Sequence, residues 1–236
     1  MTTDMQARVT GWVVAITGSN RGIGRALARA FSAAGATVIP HARTEETARA
    51  VADALPGPAT PIWGDLRDPT LAERLARAAD GRGGLDALVL NAGVLGPMQA
   101  MEATDFGAFR EAMEINVDAQ LRLFVAGLPG LRARRGRVVW LTSYLGHAAL
   151  PGYGVYCASK HAVEGLMRLA AAEHADDGII SVAVSPGMVV TEMLKAAQRG
   201  ADVSMHTPPE VAAARFLTRI AALTPALSGT VVDLTD

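Results

Sequence analysis

Trp12-Val13-Val14-Ala15-Ile16-Thr17-Gly18-Ser19-Asn20-Arg21-Gly22-Ile23-Gly24 sets a short β-branched run against a glycine-rich turn that opens directly into an Ala- and Leu-rich stretch. In that stretch Ile23, Ala26, Leu27, Ala30, Phe31 and Ala34 recur at steps of three and four, so one apolar stripe of a helix can lie on a sheet. Gly35 supplies the stop, and Ala36 to His41 reads as a second strand. Strand, glycine turn, helix and strand make a βαβ unit, whose strands are parallel. Within the turn, Gly18 permits a tight bend, Gly22 allows the backbone to approach a pyrophosphate, and Gly24 allows close packing at the helix start. The helix N-terminus then faces the anion. Ser19, Asn20, Arg21 and Ile23 complete the cradle.

The same rhythm continues outward. Further strands are expected at Thr60 to Gly64, Ala87 to Leu90, Arg137 to Thr142, Ile179 to Ser185 and Thr230 to Leu234, seven in all with the first two. Helices are expected near Glu45 to Leu55, Pro69 to Ala79, Asp105 to Gly127, Tyr153 to His174 and Pro208 to Ala222. Pro40 cannot donate to a ladder and is read as a strand-end residue. The expected architecture is α/β, a single doubly wound Rossmann-type domain with about seven parallel strands flanked by helices. Residues 1–11 read as an N-terminal extension and residues 12–236 as one dinucleotide-binding catalytic domain, with a short irregular substrate loop near 192–207.

Composition narrows the function. The 236 residues are 50% apolar, enough for one substantial core but short for two. Lysine and arginine together number 22 against 23 acids, so no surplus of positive charge exists to neutralise nucleic acid or an anionic membrane. A small-molecule substrate fits better. Cys157 is the only cysteine, as a reduced cytoplasmic setting predicts, and no apolar run reaches the length of a bilayer span. The five histidines show no metal-ligand spacing, so no metal is expected.

About twenty residues beyond the glycine turn, a NAD-binding unit places an acid at the end of the second strand to bind the adenosine ribose. Here that strand ends His41-Ala42-Arg43. Arg43, with Arg21 on the other side, suits a 2'-phosphate, and NADP(H) is expected in preference to NAD(H). Tyr156 and Lys160 stand at i and i+4 and share one face of a predicted helix, where a neighbouring ammonium would favour the phenolate. Ser143, just past a predicted strand, could hold a carbonyl oxygen, and Asn116 could order a water leading to Lys160.

Taken together these residues resemble the short-chain dehydrogenase/reductase family in its conventional single-domain form, over Val13 to about Asp233. The resemblance rests on the Thr17 to Gly24 loop, Asp65-Leu66, Asn91-Ala92-Gly93, Asn116-Val117, Ser143, Tyr156 with Lys160, and Pro186-Gly187 followed by Thr191. It implies that Asp65 and Leu66 contact the adenine, that Asn91, Ala92 and Gly93 line the cofactor groove, and that Pro186, Gly187, Val189 and Thr191 hold the nicotinamide end. It further implies a catalytic tetrad of Asn116, Ser143, Tyr156 and Lys160, with Lys160 also bonding the nicotinamide ribose. The expected activity is carbonyl–alcohol interconversion by hydride transfer, with Tyr156 as the acid or base, in a cytoplasmic homodimer or homotetramer. Two alternatives stand beside it: a non-catalytic NADP(H)-binding regulator on the same fold, and a NAD-dependent alcohol dehydrogenase. Leu90 departs from the family, which often has a second asparagine there, and the Val231-Val232-Asp233 tail lacks its common Val-Asp-Gly-Gly ending.

Overall fold

A computed structural model describes residues 9–235. Seven strands form one parallel sheet: β1 (Val13–Ile16), β2 (Thr37–Ala42), β3 (Ile62–Trp63), β4 (Ala87–Leu90), β5 (Arg137–Leu141), β6 (Ile180–Ser185) and β7 (Val231–Asp233). Their spatial order is β3-β2-β1-β4-β5-β6-β7. The chain therefore leaves β1 towards one side and β4 towards the other, which opens a crevice between their carboxyl ends. The helices are α1 (Gly22–Ala33), α2 (Glu45–Asp53), α3 (Thr70–Asp80), α4 (Phe106–Met113), α5 (Ala119–Arg134), α6 (Gly154–Glu173), α7 (Glu192–Ala197) and α8 (Pro209–Ala221). Among the described residues, no helix is long and apolar enough to cross a membrane.

Alternation along the strands sorts the core into two layers. Val14 and Ile16 of β1 pack with Leu27 and Phe31 of α1 and Phe216 and Ile220 of α8. Val13 and Ala15 face the other way, onto Leu71 and Leu75 of α3, Leu123 of α5 and Met167 of α6. Trp140 of β5 is fully buried in this second layer, with its indole N–H donating to Ser181 Oγ at 3.1 Å. Both sheet faces are covered, which is why the strands read as continuous apolar runs. Of the stretch 1–11, residues 1–8 lie outside the described residues, and Val9 is buried in the first layer.

Three local readings change. Pro40 lies inside β2, paired with Ile16 of β1. On its other side, the contact with the β3 region is interrupted between an isolated Val38–Ala59 bridge and the His41–Ile62 pair. The proline falls in that gap, and β3 shrinks to two residues. The helix expected over Asp105 to Gly127 is two helices joined by a π-helical turn, Glu114–Asp118, and α5 continues past Gly127 and Pro129 to Arg134. Gly127 is a packing residue, since a Cβ there would crowd Leu88 at 3.0 Å, and Leu131 beyond the proline is fully buried. Burial of the last turn outweighs the hydrogen bond that Pro129 cannot make. Within the expected irregular loop 192–207, the first six residues form α7.

Helix α5 ends on Arg135, an exposed residue in the left-handed region at φ 47° and ψ 48°, followed by Gly136 N–H donating to Leu131 O at 2.9 Å. A side chain there costs roughly 1–2 kcal/mol, against about 0.4–1 kcal/mol of unfolded-state entropy that glycine would add. Arg135→Gly is therefore expected to raise the unfolding free energy by about 0.5–1 kcal/mol in urea titration, and a lowered midpoint would contradict this account.

Candidate active site

The carboxyl ends of β1, β4, β5 and β6 meet at one edge. From β1, Thr17 is buried, and its hydroxyl oxygen accepts from the N–H groups of Asn91 and Ala92, both at 2.9 Å. Asn91 returns the contact by donating from Nδ2 to Thr17 O at 2.8 Å. The glycine turn follows, with Gly18 and Gly22 at φ of +69° and +54°, where an L side chain would be strained. Gly24 is constrained by space: a Cβ there would collide with the Gly18 carbonyl. Ser19 is buried, with its hydroxyl on Ile16 O at 2.8 Å, while Asn20, Arg21 and Arg43 are exposed. No side chain caps α1, and its first turn carries no acid, so the N-terminal N–H groups keep a positive field toward the crevice.

Gly93 sits between Asn116 and Lys160; a Cβ on it would lie 3.0 Å from Asn116 Oδ1 and 3.8 Å from Lys160 Nζ. Asn116, in the π turn, is almost fully buried, and its side chain is wholly engaged by protein. Oδ1 accepts from Val94 N–H, and Nδ2 donates to Val94 O and to Ser159 Oγ, at 2.8, 2.8 and 3.0 Å. The side chain thus clamps the backbone beyond β4. Lys160 is buried and donates to Leu141 O at 2.7 Å, with Nζ 5.5 Å from the Tyr156 ring centroid. Ser143 follows β5, and its side chain is near enough to Tyr156 to pull the phenol's pKa down. From β6, Gly187 has φ +71°, Val189 is buried and bridged to Thr207, and Thr191 caps α7 by accepting from Leu194 N–H at 3.1 Å. A Cβ on Gly22 would lie 3.2 Å from the Thr191 methyl, so the β6 segment closes over the glycine turn. Pro186 begins that segment.

Asp65 and Leu66 stand at the outer end, past β3. The Asp65 carboxylate is taken up by Arg67, at 2.8 and 3.0 Å, whose hydrogen bonds hold it well below the usual carboxylate range. Leu66 O accepts from Arg122 at 3.1 Å.

A sequence model of the short chain dehydrogenase family matches residues 12–202. The chain belongs to that family. Among its relatives, the 1,2-dihydroxy-1,2-dihydronaphthalene dehydrogenase of Pseudomonas putida is 36% identical over 198 residues, covering 82% of this chain and 76% of the relative. The L-fucose dehydrogenase of Bos taurus is 32% identical over 189 residues, covering 80% and 70%. A protein described as a short chain dehydrogenase from Escherichia coli CFT073, solved in complex with NADPH, superposes with a TM-score of 0.88 at 28% identity over 98% of this chain and 99% of its own. One described as an NAD(P)-dependent gluconate 5-dehydrogenase from Beutenbergia cavernae, solved with NADP, gives 0.81 at 32% identity over 95% of each chain.

Two features of this short chain dehydrogenase differ from expectation or went unread. Burial raises the Tyr156 phenol to about 12, with the Ser143 hydrogen bond opposing the shift, and lowers Lys160 to about 8. Desolvation is the largest cause of both shifts. The unread residue is His41, 4% exposed at the end of β2. Its Nδ1 accepts from Gly18 N–H at 3.1 Å, so the ring proton sits on Nε2, which donates to Gly64 O at 3.0 Å. One polar residue in an apolar strand was the available signal.

Only neutral His41 can accept from Gly18, and burial lowers its pKa from 6.5. The unfolded chain then binds more protons than the folded one in mildly acidic solution, so this contribution is complete above pH 6.5 and is lost as pH falls below it. His41→Asn, which keeps an acceptor and does not titrate, is expected to flatten the fall of unfolding free energy between pH 6.5 and 5 by up to about 1.4 kcal/mol per pH unit. Parallel slopes in urea titrations of the two proteins would remove His41 as the cause.

Proposed function

We propose that the protein is an NADP(H)-dependent oxidoreductase that interconverts a small-molecule carbonyl and alcohol, with Tyr156 as the proton donor in reduction. The observation that carries this reading is the convergence of Tyr156, Ser143 and Lys160 on the crevice that the glycine turn also enters.

The residues present fit the dinucleotide. The uncapped start of α1 and the left-handed Gly18 and Gly22 suit a pyrophosphate, with Ser19, Asn20, Ile23 and Gly24 forming the rest of the turn. Arg21 and Arg43 are exposed and suit a 2'-phosphate, in line with the NADP and NADPH held by the two solved relatives. Asp65, Leu66, Asn91, Ala92 and Gly93 would line its course, and Pro186, Gly187, Val189 and Thr191 its nicotinamide end. NADPH, when bound, supplies the hydride for the carbonyl carbon.

The protein's own residues handle the proton. A phenol raised to about 12 is protonated at neutral pH and can give its proton to the carbonyl oxygen. Ser143 can donate to the same oxygen and polarise it. Lys160, at about 8, remains largely charged at pH 7, and its ammonium favours the phenolate left after transfer. Asn116 keeps the Gly93–Val94 backbone and Ser159 in place around this pair. The intact constellation favours turnover over a purely regulatory role.

Residues 12–236 would act as one catalytic unit, with 192–207 beside the substrate. Exposed Leu150, Met188 and Met193 near this edge suit an apolar substrate face. Exposed Leu121 and Val125 of α5 and Leu169 of α6 suit a homodimer or homotetramer, and the lone buried Cys157 suits the cytoplasm.

Screening NADPH oxidation across aldehydes, ketones, quinones, steroids, sugars and 3-oxoacyl thioesters should reveal a reducible carbonyl. With it, Tyr156→Phe is expected to lower kcat by at least about a hundredfold while leaving the NADPH Kd within about twofold. Retained turnover would remove Tyr156 as the acid. Arg43→Ala should weaken NADPH binding by about tenfold or more and leave NADH binding unchanged, as titrations of cofactor fluorescence can read. An unchanged preference would contradict the assignment to the 2'-phosphate.

A further inference from the structure

Tyr156, Lys160, Glu164 and Arg168 follow one another at four-residue steps along α6, so they form one line on that helix. The first two belong to the site described above. The third is a carboxylate only 1% exposed, on a helix whose neighbouring residues Val163 and Met167 are core. A carboxylate removed from water needs donors, and Glu164 has three. Oε1 accepts from the Thr142 hydroxyl at 3.0 Å and faces His147 Nδ1 at 3.2 Å; Oε2 accepts from Arg168 at 3.1 Å.

Thr142 and His147 bracket the segment that carries Ser143. Between them lies a single 3₁₀ turn, Tyr144–Gly146, closed by Gly146 N–H donating to Ser143 O at 2.8 Å. The carboxylate therefore ties both ends of the turn to the helix that holds Tyr156. Gly146 makes the approach possible, because a Cβ there would collide with both Glu164 Oε1 and Thr142 Oγ1. Inside the turn, Leu145 N–H donates to Ser143 Oγ at 3.3 Å. That bond occupies a lone pair of the Ser143 oxygen and leaves its proton to be donated, in keeping with the downward pull of Ser143 on Tyr156. An apolar residue at position 164 could fill the core as well as a buried charge does. What it could not do is hold two polar groups, five residues apart, in one place.

We propose that Glu164 is a positioning residue: its buried carboxylate, joining Thr142 to His147, sets the Ser143 turn so that the serine hydroxyl points at Tyr156. The proposal rests on the reading of Ser143 given under the proposed function. Glu164 touches neither substrate nor cofactor and acts through the turn.

The test is a double-mutant cycle with Ser143→Ala, reading kcat on the carbonyl that the NADPH-oxidation screen shows to be reduced fastest, and reading NADPH Kd separately. Glu164→Ala is expected to lower kcat about 10- to 100-fold and to leave the NADPH Kd within about twofold, because a shift of about an ångström in a substrate-orienting group has a cost of that order. Glu164→Gln, which keeps an acceptor for Thr142 and His147, should recover kcat to within about threefold of wild type. In the Ser143→Ala background, Glu164→Ala should add less than about a twofold loss, since the residue through which it acts is gone. Thr142→Val should show the same pattern in smaller degree, and it serves if Glu164→Ala fails to fold.

Losses that multiply in the double variant, or a fall in NADPH affinity equal to the fall in kcat, would overturn the proposal and leave Glu164 as general scaffolding. If Ser143→Ala is inactive while Glu164→Ala and Thr142→Val turn over like wild type, the proposal fails and the reading of the site stands. If Ser143→Ala itself turns over like wild type, the role of Ser143 fails, and that of Glu164 with it.

Discussion

Thr17 and Asn91 hold β1 to β4 at the point where the chain leaves the two strands in opposite directions. The Thr17 hydroxyl accepts from two successive N–H groups beyond β4, and Asn91 donates back to the end of β1. In a parallel sheet that reverses its order here, the crevice between these strand ends is where a ligand can enter. The two side chains extend the ladder beyond its last backbone bond, in which Thr17 N–H donates to Val89 O at 3.0 Å. The glycine turn, the Asn116 clamp on Val94 and the approach of Thr191 to Gly22 are all placed relative to that pair.

From this edge the chemistry follows by burial. As α6 packs on the second core layer, desolvation moves the two groups apart, the half-buried Tyr156 phenol up and the buried Lys160 ammonium down. The result is a protonated donor beside a cation that stays charged near neutrality. An ammonium beside the phenol stabilises the phenolate that proton transfer leaves behind, which eases the transfer. The residues that the family model matches, 12–202, contain the four strands whose carboxyl ends border the crevice.

Much of the fold was legible because its signals are local. Apolar β-branched runs, the stripe through Ile23, Leu27 and Phe31, and the glycines before α1 each report a backbone state that neighbours in sequence largely decide. The misread elements are those in which tertiary packing overrode a local rule. Gly127 and Pro129 look like a helix end, yet burial of Leu131 carries α5 through them. Pro40 looks like a strand end, yet β2 accommodates it at a break in the β3 contact.

The site divides in the same way. By itself the sequence determined the residue types and their order: a glycine turn after a strand, two arginines where an acid might stand, a serine past β5, and a tyrosine and lysine one helical turn apart. These follow from chemistry that needs particular groups at particular chain positions. Only the tertiary structure decided which polar residues were buried and what they touched: His41 under Gly18, Asn116 on Val94, and Glu164 between Thr142 and His147. Each pairing joins residues 17 to 23 positions apart through the interior. The hydrogen bond that makes a buried polar side chain tolerable depends on a partner that no spacing along the chain reveals.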